Sequence, residues 1–132
     1  MTPTPHFKEH VLQAANELVA AFASNDTDTY FAAFSEDATF LFYTLPTALL
    51  SRAAYREVWT EWQADGFAVL DCQSSNVHIT LQGEVAVFMH DVATRVRFGT
   101  EENQFRERET IVFRNAGGRW LACHEHLSAQ PV

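Results

Sequence analysis

The sequence predicts an α+β domain in which three N-terminal helices pack on one face of a curved antiparallel sheet. Three observations carry this. Helical periodicity is confined to the first half of the chain, and four extended runs separated by turn residues fill the second. The length, 132 residues, suffices for one core without disulfides or metal, so one domain over residues 1–132 is expected. Apolar residues make up 47% of the chain, with 11 Phe and 3 Trp, which excludes global disorder.

The first helix follows from Phe7, Val11, Ala14, Leu18 and Phe22 at helical spacing, widened by Ala15 and Val19. Ser24-Asn25-Asp26 ends it and can cap a shorter helix carrying Tyr30, Phe31 and Phe34. ATFLFYT, residues 38–44, is β-branched and aromatic and reads as a strand. Ser51 suits an N-cap, with Leu50 and Tyr55 placed for a hydrophobic staple. Tyr55, Val58, Trp59 and Trp62 then form the stripe of a third helix that Gly66 stops. The extended runs cover about 67–80, 84–98, 104–115 and 119–128. Gln82-Gly83, Gly99 to Asn103, and Asn115-Ala116-Gly117-Gly118 separate them and suit hairpins.

A net charge of −8 argues against nucleic-acid or anionic-membrane partners, both of which need clustered Lys and Arg. No run approaches the roughly 20 apolar residues of a membrane span, and MTPTPHFKEH lacks the pattern of a leader, so a cytoplasmic protein is expected. Cys72 and Cys123 form no CxxC or Cys/His cluster and read as buried free thiols.

Period-2 alternation divides each run into two faces. Ala86, Phe88, His90, Val92 and Thr94 share the inward face of the second run with Val96 and Phe98. Phe105, Glu107, Glu109, Ile111 and Phe113 share that of the third, and Leu121, Cys123, Glu125 and Leu127 that of the fourth. The concave side is then apolar with carboxylates and His90 projecting into it, which is the makeup of a ligand pocket. Glu109, Glu125 and His90 are the candidate acid/base groups. Tyr43, Trp59, Trp62, Phe88, Glu107, Ile111 and Leu127 are the candidate ligand-lining residues. The opposite set contains Arg108, Thr110, Trp120, His124, His126 and Ser128, too apolar for free solvent and too polar for a core, which suits a homodimer interface.

FSEDATFLF, GEVAVF, RETIVFRNAGGRW and the closing HEHLS, in this order and spacing, resemble the SnoaL-like branch of the nuclear transport factor 2-like superfamily over nearly the whole chain. The spacing of Arg108, Thr110, Trp120, His124, His126 and Ser128 is its most specific part, and the association domain of calcium/calmodulin-dependent protein kinase ends similarly. The resemblance implies a cone-shaped α+β barrel with a deep cavity between helices and sheet, usually as a homodimer. The superfamily includes ketosteroid isomerases, polyketide cyclases, scytalone dehydratases and non-catalytic hubs, so fold alone does not assign an activity. The isomerase set of an aspartate base with a tyrosine and protonated aspartate is not matched residue by residue.

A glutamate in an apolar cavity has its charged form disfavoured by desolvation, which makes Glu109 or Glu125 a candidate acid/base; the alternative is pairing with a cavity Arg or a backbone donor. His124 and His126 project from one face and could both reach a metal, but only Asp91 and Ser128 lie near as further ligands, so a hydrogen-bonded interface network with Arg108 and Thr110 is preferred, and neither metal nor cofactor is expected. The function expected is binding of a small hydrophobic molecule. It extends either to a cofactor-independent isomerase, cyclase or dehydratase acting beside a carbonyl, or to a non-catalytic binding or dimerisation module.

Overall fold

The computed structural model describes residues 6–131, and the expectations for the first five residues and Val132 lie outside that range. The order is α1 (Phe7–Ala23), α2 (Thr27–Ala32), β1 (Phe34–Phe42), α3 (Arg52–Ala64), β2 (Phe67–Gln82), β3 (Val85–Phe98), β4 (Glu101–Ala116) and β5 (Arg119–Ala129). The strands form one curled sheet in the order β1-β5-β4-β3-β2, and the helices pack on its concave face. No described helix is long and apolar enough to cross a membrane.

Local chemistry explains the helix boundaries. Asp26 accepts from Thr29 N at the start of α2, and Ser51 Oγ accepts from Ala54 N at 3.1 Å at the start of α3. Leu50 is 73% exposed, so no staple with Tyr55 forms. Gly66 follows α3 at φ +89°, and an added Cβ would lie 2.9 Å from Gly99 N, so both the conformation and the approach of the β3–β4 turn require glycine.

Two further expectations are corrected. Phe34 is the first residue of β1 rather than part of α2, because the helix stops at Ala32 and the chain turns extended two residues later. The sheet is mixed: β2 to β5 form the antiparallel meander, but β1 joins its edge parallel to β5, with Phe40 opposite Glu125.

The alternation holds through β3, where Ala86, Phe88, His90, Val92, Thr94 and Val96 are all buried. In β5 it reverses. Val112 pairs with His124 while Phe113 pairs with Ala122, so Cys123 is an extra residue without a partner, a β-bulge. Trp120, expected on the outer face, is therefore only 5% exposed and packs its ring 5.2 Å from that of Phe7 on α1. Leu121 and Cys123, expected inward, are turned half out, and both cysteines are free and half-buried rather than fully interior. Beyond the bulge the expected parity returns, with Glu125 buried.

Candidate functional site

Between the helices and the concave face of the sheet lies a cavity of about 330 Å³. Leu18, Val19 and Phe22 of α1, Tyr30 of α2, and Tyr55 and Trp62 of α3 form its roof. Its floor carries His90 and Thr94 from β3, Glu107 and Glu109 from β4, Glu125 and Leu127 from β5, and Cys72 from β2. Phe98 and Phe105, each more than a third exposed, also line it.

Strand register assembles the polar groups. His90 lies directly opposite Glu109 across the β3–β4 ladder, and its Nε2 is 2.7 Å from Glu109 Oε1. On its other side Glu109 faces Leu127, which places Glu125 on the diagonal, within reach of a long side chain on the same face. Ser74 of β2 completes a row, with its Oγ 2.6 Å from His90 Nδ1. A carboxylate only accepts, so the proton between His90 and Glu109 sits on Nε2, and in the neutral ring Nδ1 accepts from the Ser74 hydroxyl.

The two central carboxyls are driven apart in proton affinity. Burial pushes Glu125 well above the ordinary carboxylate range, and the neighbouring Glu109 charge adds to this. Burial would also raise Glu109, but hydrogen bonds from Glu125 and His90 outweigh it and hold Glu109 below the ordinary range. Written as a carboxylate, Glu125 has a buried oxygen, Oε2, with no hydrogen-bond partner among the described residues. Written as the neutral acid, it can donate to Glu109, so one proton resides between the pair. Glu107 is raised too, by burial first, with Tyr43 hydrogen bonding opposing it.

Of the residues expected in the pocket, Glu107, Glu109, Glu125, His90, Trp62 and Leu127 line it. Four do not. Trp59 is fully buried and donates its Nε1–H to Thr27 Oγ1 at 3.1 Å, because it sits one step around α3 from Trp62 and faces the core. Phe88 and Ile111 are also sealed in the core, on the same face of the sheet two residues along from His90 and Glu109. Tyr43 is 46% exposed; burial and then the adjacent Glu107 push its phenol up to about 12. The expected Arg partner for the carboxylates is replaced by His90, and no Arg or Lys among the described residues lines the cavity.

Sequence reasoning missed Tyr30, Tyr55, Cys72 and Ser74. The Tyr30 and Tyr55 hydroxyls are 2.9 Å apart, and burial, then the Glu125 charge, raise both phenols well above their ordinary value. Their helical stripes signalled burial, though nothing in them distinguished a tyrosine in the cavity roof from one in the core.

On the outer face of the sheet, Arg108 pairs in register with Ser128 and Thr110 with His126. His124 Nδ1 lies 2.8 Å from Thr39 Oγ1, so its partner is Thr39 of β1 rather than Arg108 or Thr110. Among the described residues no group of three or more His, Cys, Asp or Glu is placed to hold a metal ion.

Residues 11–132 match the family described as the SnoaL-like domain. Solved structures share the fold at low identity. An NTF2-like protein of unknown function in nutrient uptake from Rhodospirillum rubrum has a TM-score of 0.80 at 17% identity, over 92% of this chain and 98% of that one. A candidate calcium/calmodulin-dependent kinase II association domain from Exiguobacterium sibiricum has a TM-score of 0.80 at 13% identity, over 100% and 98%. A candidate scytalone dehydratase from Novosphingobium aromaticivorans has 0.81 at 15%, over 95% and 85%. No curated protein matches the chain.

Proposed function

The chain belongs to the SnoaL-like domain family, and from that premise we propose that it binds a small, largely hydrophobic molecule in the cavity and exchanges a proton with it through Glu109 and Glu125. The observation that carries this reading is Glu125 Oε2, buried and unpartnered in an aromatic cavity beside a carboxylate that His90 holds ionised. In such a pair the neutral acid can donate while the ionised partner accepts, so one site offers both halves of a proton shuttle. His90 and Ser74 position the Glu109 carboxylate. The reaction classes served are isomerisation, cyclisation and dehydration, none of which needs a cofactor for the proton steps themselves.

The test is deuterium incorporation from D2O into a panel of hydrophobic ketones and enones, read by mass spectrometry. Exchange accelerated by the wild type and lost in Glu109→Gln, with circular dichroism unchanged, supports proton transfer. Exchange that survives Glu109→Gln overturns it.

One observation favours a second reading, a binding module without catalysis: Glu109 is already paired with His90, as in a structural network. For the outer face we propose pairing with a second copy of this chain, since the exposed Leu41 and Met89 flank the polar Arg108, Thr110, His124, His126 and Ser128. Light scattering that returns a dimer for the wild type and a monomer for Leu41→Glu supports it, and an unchanged mass in the variant counts against it.

A further inference from the structure

The ligand's charge follows from which hydrogen-bonding valences the cavity leaves over, given the reading of the cavity as a ligand site. His90 has both ring nitrogens engaged, by Ser74 and Glu109; the Tyr30 and Tyr55 hydroxyls are bonded to each other, which uses one of their two protons and leaves one uncharged O–H donor. The charged groups that remain facing the cavity are all acidic, namely Glu107, Glu109 and Glu125, and no Arg or Lys among the described residues lines it. Glu125 is only 4% exposed and its Oε2 has no donor in reach. Ionised, this group is costly unless a cation or several donors meet it, and the described chain supplies neither to Oε2, so the neutral form is favoured until a cation arrives. The rings of Phe22, Phe42, Tyr55, Trp62 and Phe67 line the same cavity, and the negative faces of such rings attract organic cations.

We propose that the cavity binds a hydrophobic amine in its ammonium form, with the nitrogen at Glu125 and the apolar body against the aromatic rings. An ammonium carries donors and no acceptor, the complement of an oxygen left without a donor. A carboxylate or phosphate ligand would bring its charge beside three glutamates with no cation to offset it. A neutral alcohol fits the rings but offers one donor and no charge.

The groups around Glu125 are Glu107 and Glu109 from β4, with His90 of β3 beyond Glu109, Cys72 from β2, Tyr30 from α2 and Tyr55 from α3. Burial and the Glu109 charge favour the protonated form of Glu125 in the free protein, so an arriving ammonium competes with that proton and amine binding releases a proton that alcohol binding does not; the amine is thus a ligand of the cavity and not a substrate of the Glu125 acid step.

Isothermal titration calorimetry on the whole chain near neutral pH tests this with 2-phenylethylamine, 2-phenylethanol and phenylacetate, which share one shape, and with their naphthyl counterparts for size. The amine is expected to bind at least about tenfold tighter than the alcohol, because a charge-assisted hydrogen bond exceeds a neutral one. Phenylacetate is expected to bind weakest. Glu125→Gln should erase most of that preference. Titrations in buffers of different ionisation enthalpy should show proton release with the amine alone. An alcohol that binds as tightly as the amine, or a Glu125→Gln protein that keeps the amine preference, overturns the charge assignment and leaves the ligand cavity standing. Failure of every probe in both series to bind overturns the two together.

Discussion

The core beneath the helices and the cavity beside it are walled by the same kinds of aromatic residue, yet they treat polar atoms in opposite ways. In the core, the indole N–H of Trp59 finds Thr27, and at the boundary the Tyr30 and Tyr55 hydroxyls bond to each other. In the cavity, Glu125 Oε2 finds no partner among the described residues. A fold shaped only for stability would give that oxygen a partner, since an unsatisfied buried polar group costs about 1–3 kcal/mol. The difference marks the cavity as the place where the structure gives up stability.

The largest expected effect tests the core side of this contrast. Trp59→Ala removes a fully buried indole and should lower unfolding free energy by about 3–5 kcal/mol in urea titration. A loss near zero would make the core as dispensable as the cavity wall. The next effect is that of Glu125→Leu, which removes the hydrogen bond that Glu125 gives Glu109 and should lower stability by about 1–3 kcal/mol while abolishing the preference for an amine. A Leu variant as stable as the wild type would show that the two carboxyls share no proton.

The pH dependence separates the two carboxyls. Glu125 is raised in the folded state, so its contribution to stability is full below the ordinary carboxylate range and is lost as pH rises through its folded value. Glu109 is lowered, so its contribution is present above that range and lost as pH falls through its folded value. The stability of wild type relative to Glu125→Gln should therefore decline in thermal melts as pH rises above the ordinary carboxylate range. A flat difference contradicts the assignment. The smallest effect is expected from Ser74→Ala, which removes one hydrogen bond to His90 and should cost about 0.5–1.5 kcal/mol with the cavity otherwise intact. A loss well above that range would give Ser74 a larger structural part than orienting one ring.

The alternation of β3 and of β4 from Glu107 onward was legible in the sequence because those strands pair without a register shift, so a period of two carries each side chain to the expected face. That put His90, Glu107 and Glu109 in the cavity. In β5 one unpaired residue, Cys123, inverts the pattern, and no composition signal marks a bulge of one residue; Trp120 was misplaced for that reason, while Glu125 lies beyond the bulge and was not. The β1–β5 pairing was illegible because a strand's own residues do not encode its direction relative to a neighbour. Trp59 and Trp62 share one helical stripe, and periodicity names the stripe without saying which edge meets a cavity. The His90–Glu109 contact depends on hairpin register, which sequence spacing bounded without fixing the pair.

Carbon-13 NMR titration of the glutamate side-chain carboxyls, with Glu109→Gln and Glu125→Gln used for assignment, addresses the shared proton most directly. Glu125 is expected to stay protonated well above the ordinary carboxylate range while Glu109 is already ionised below it. Both carboxyls titrating together with the exposed glutamates, near the ordinary value of about 4.3, would contradict a proton held between them.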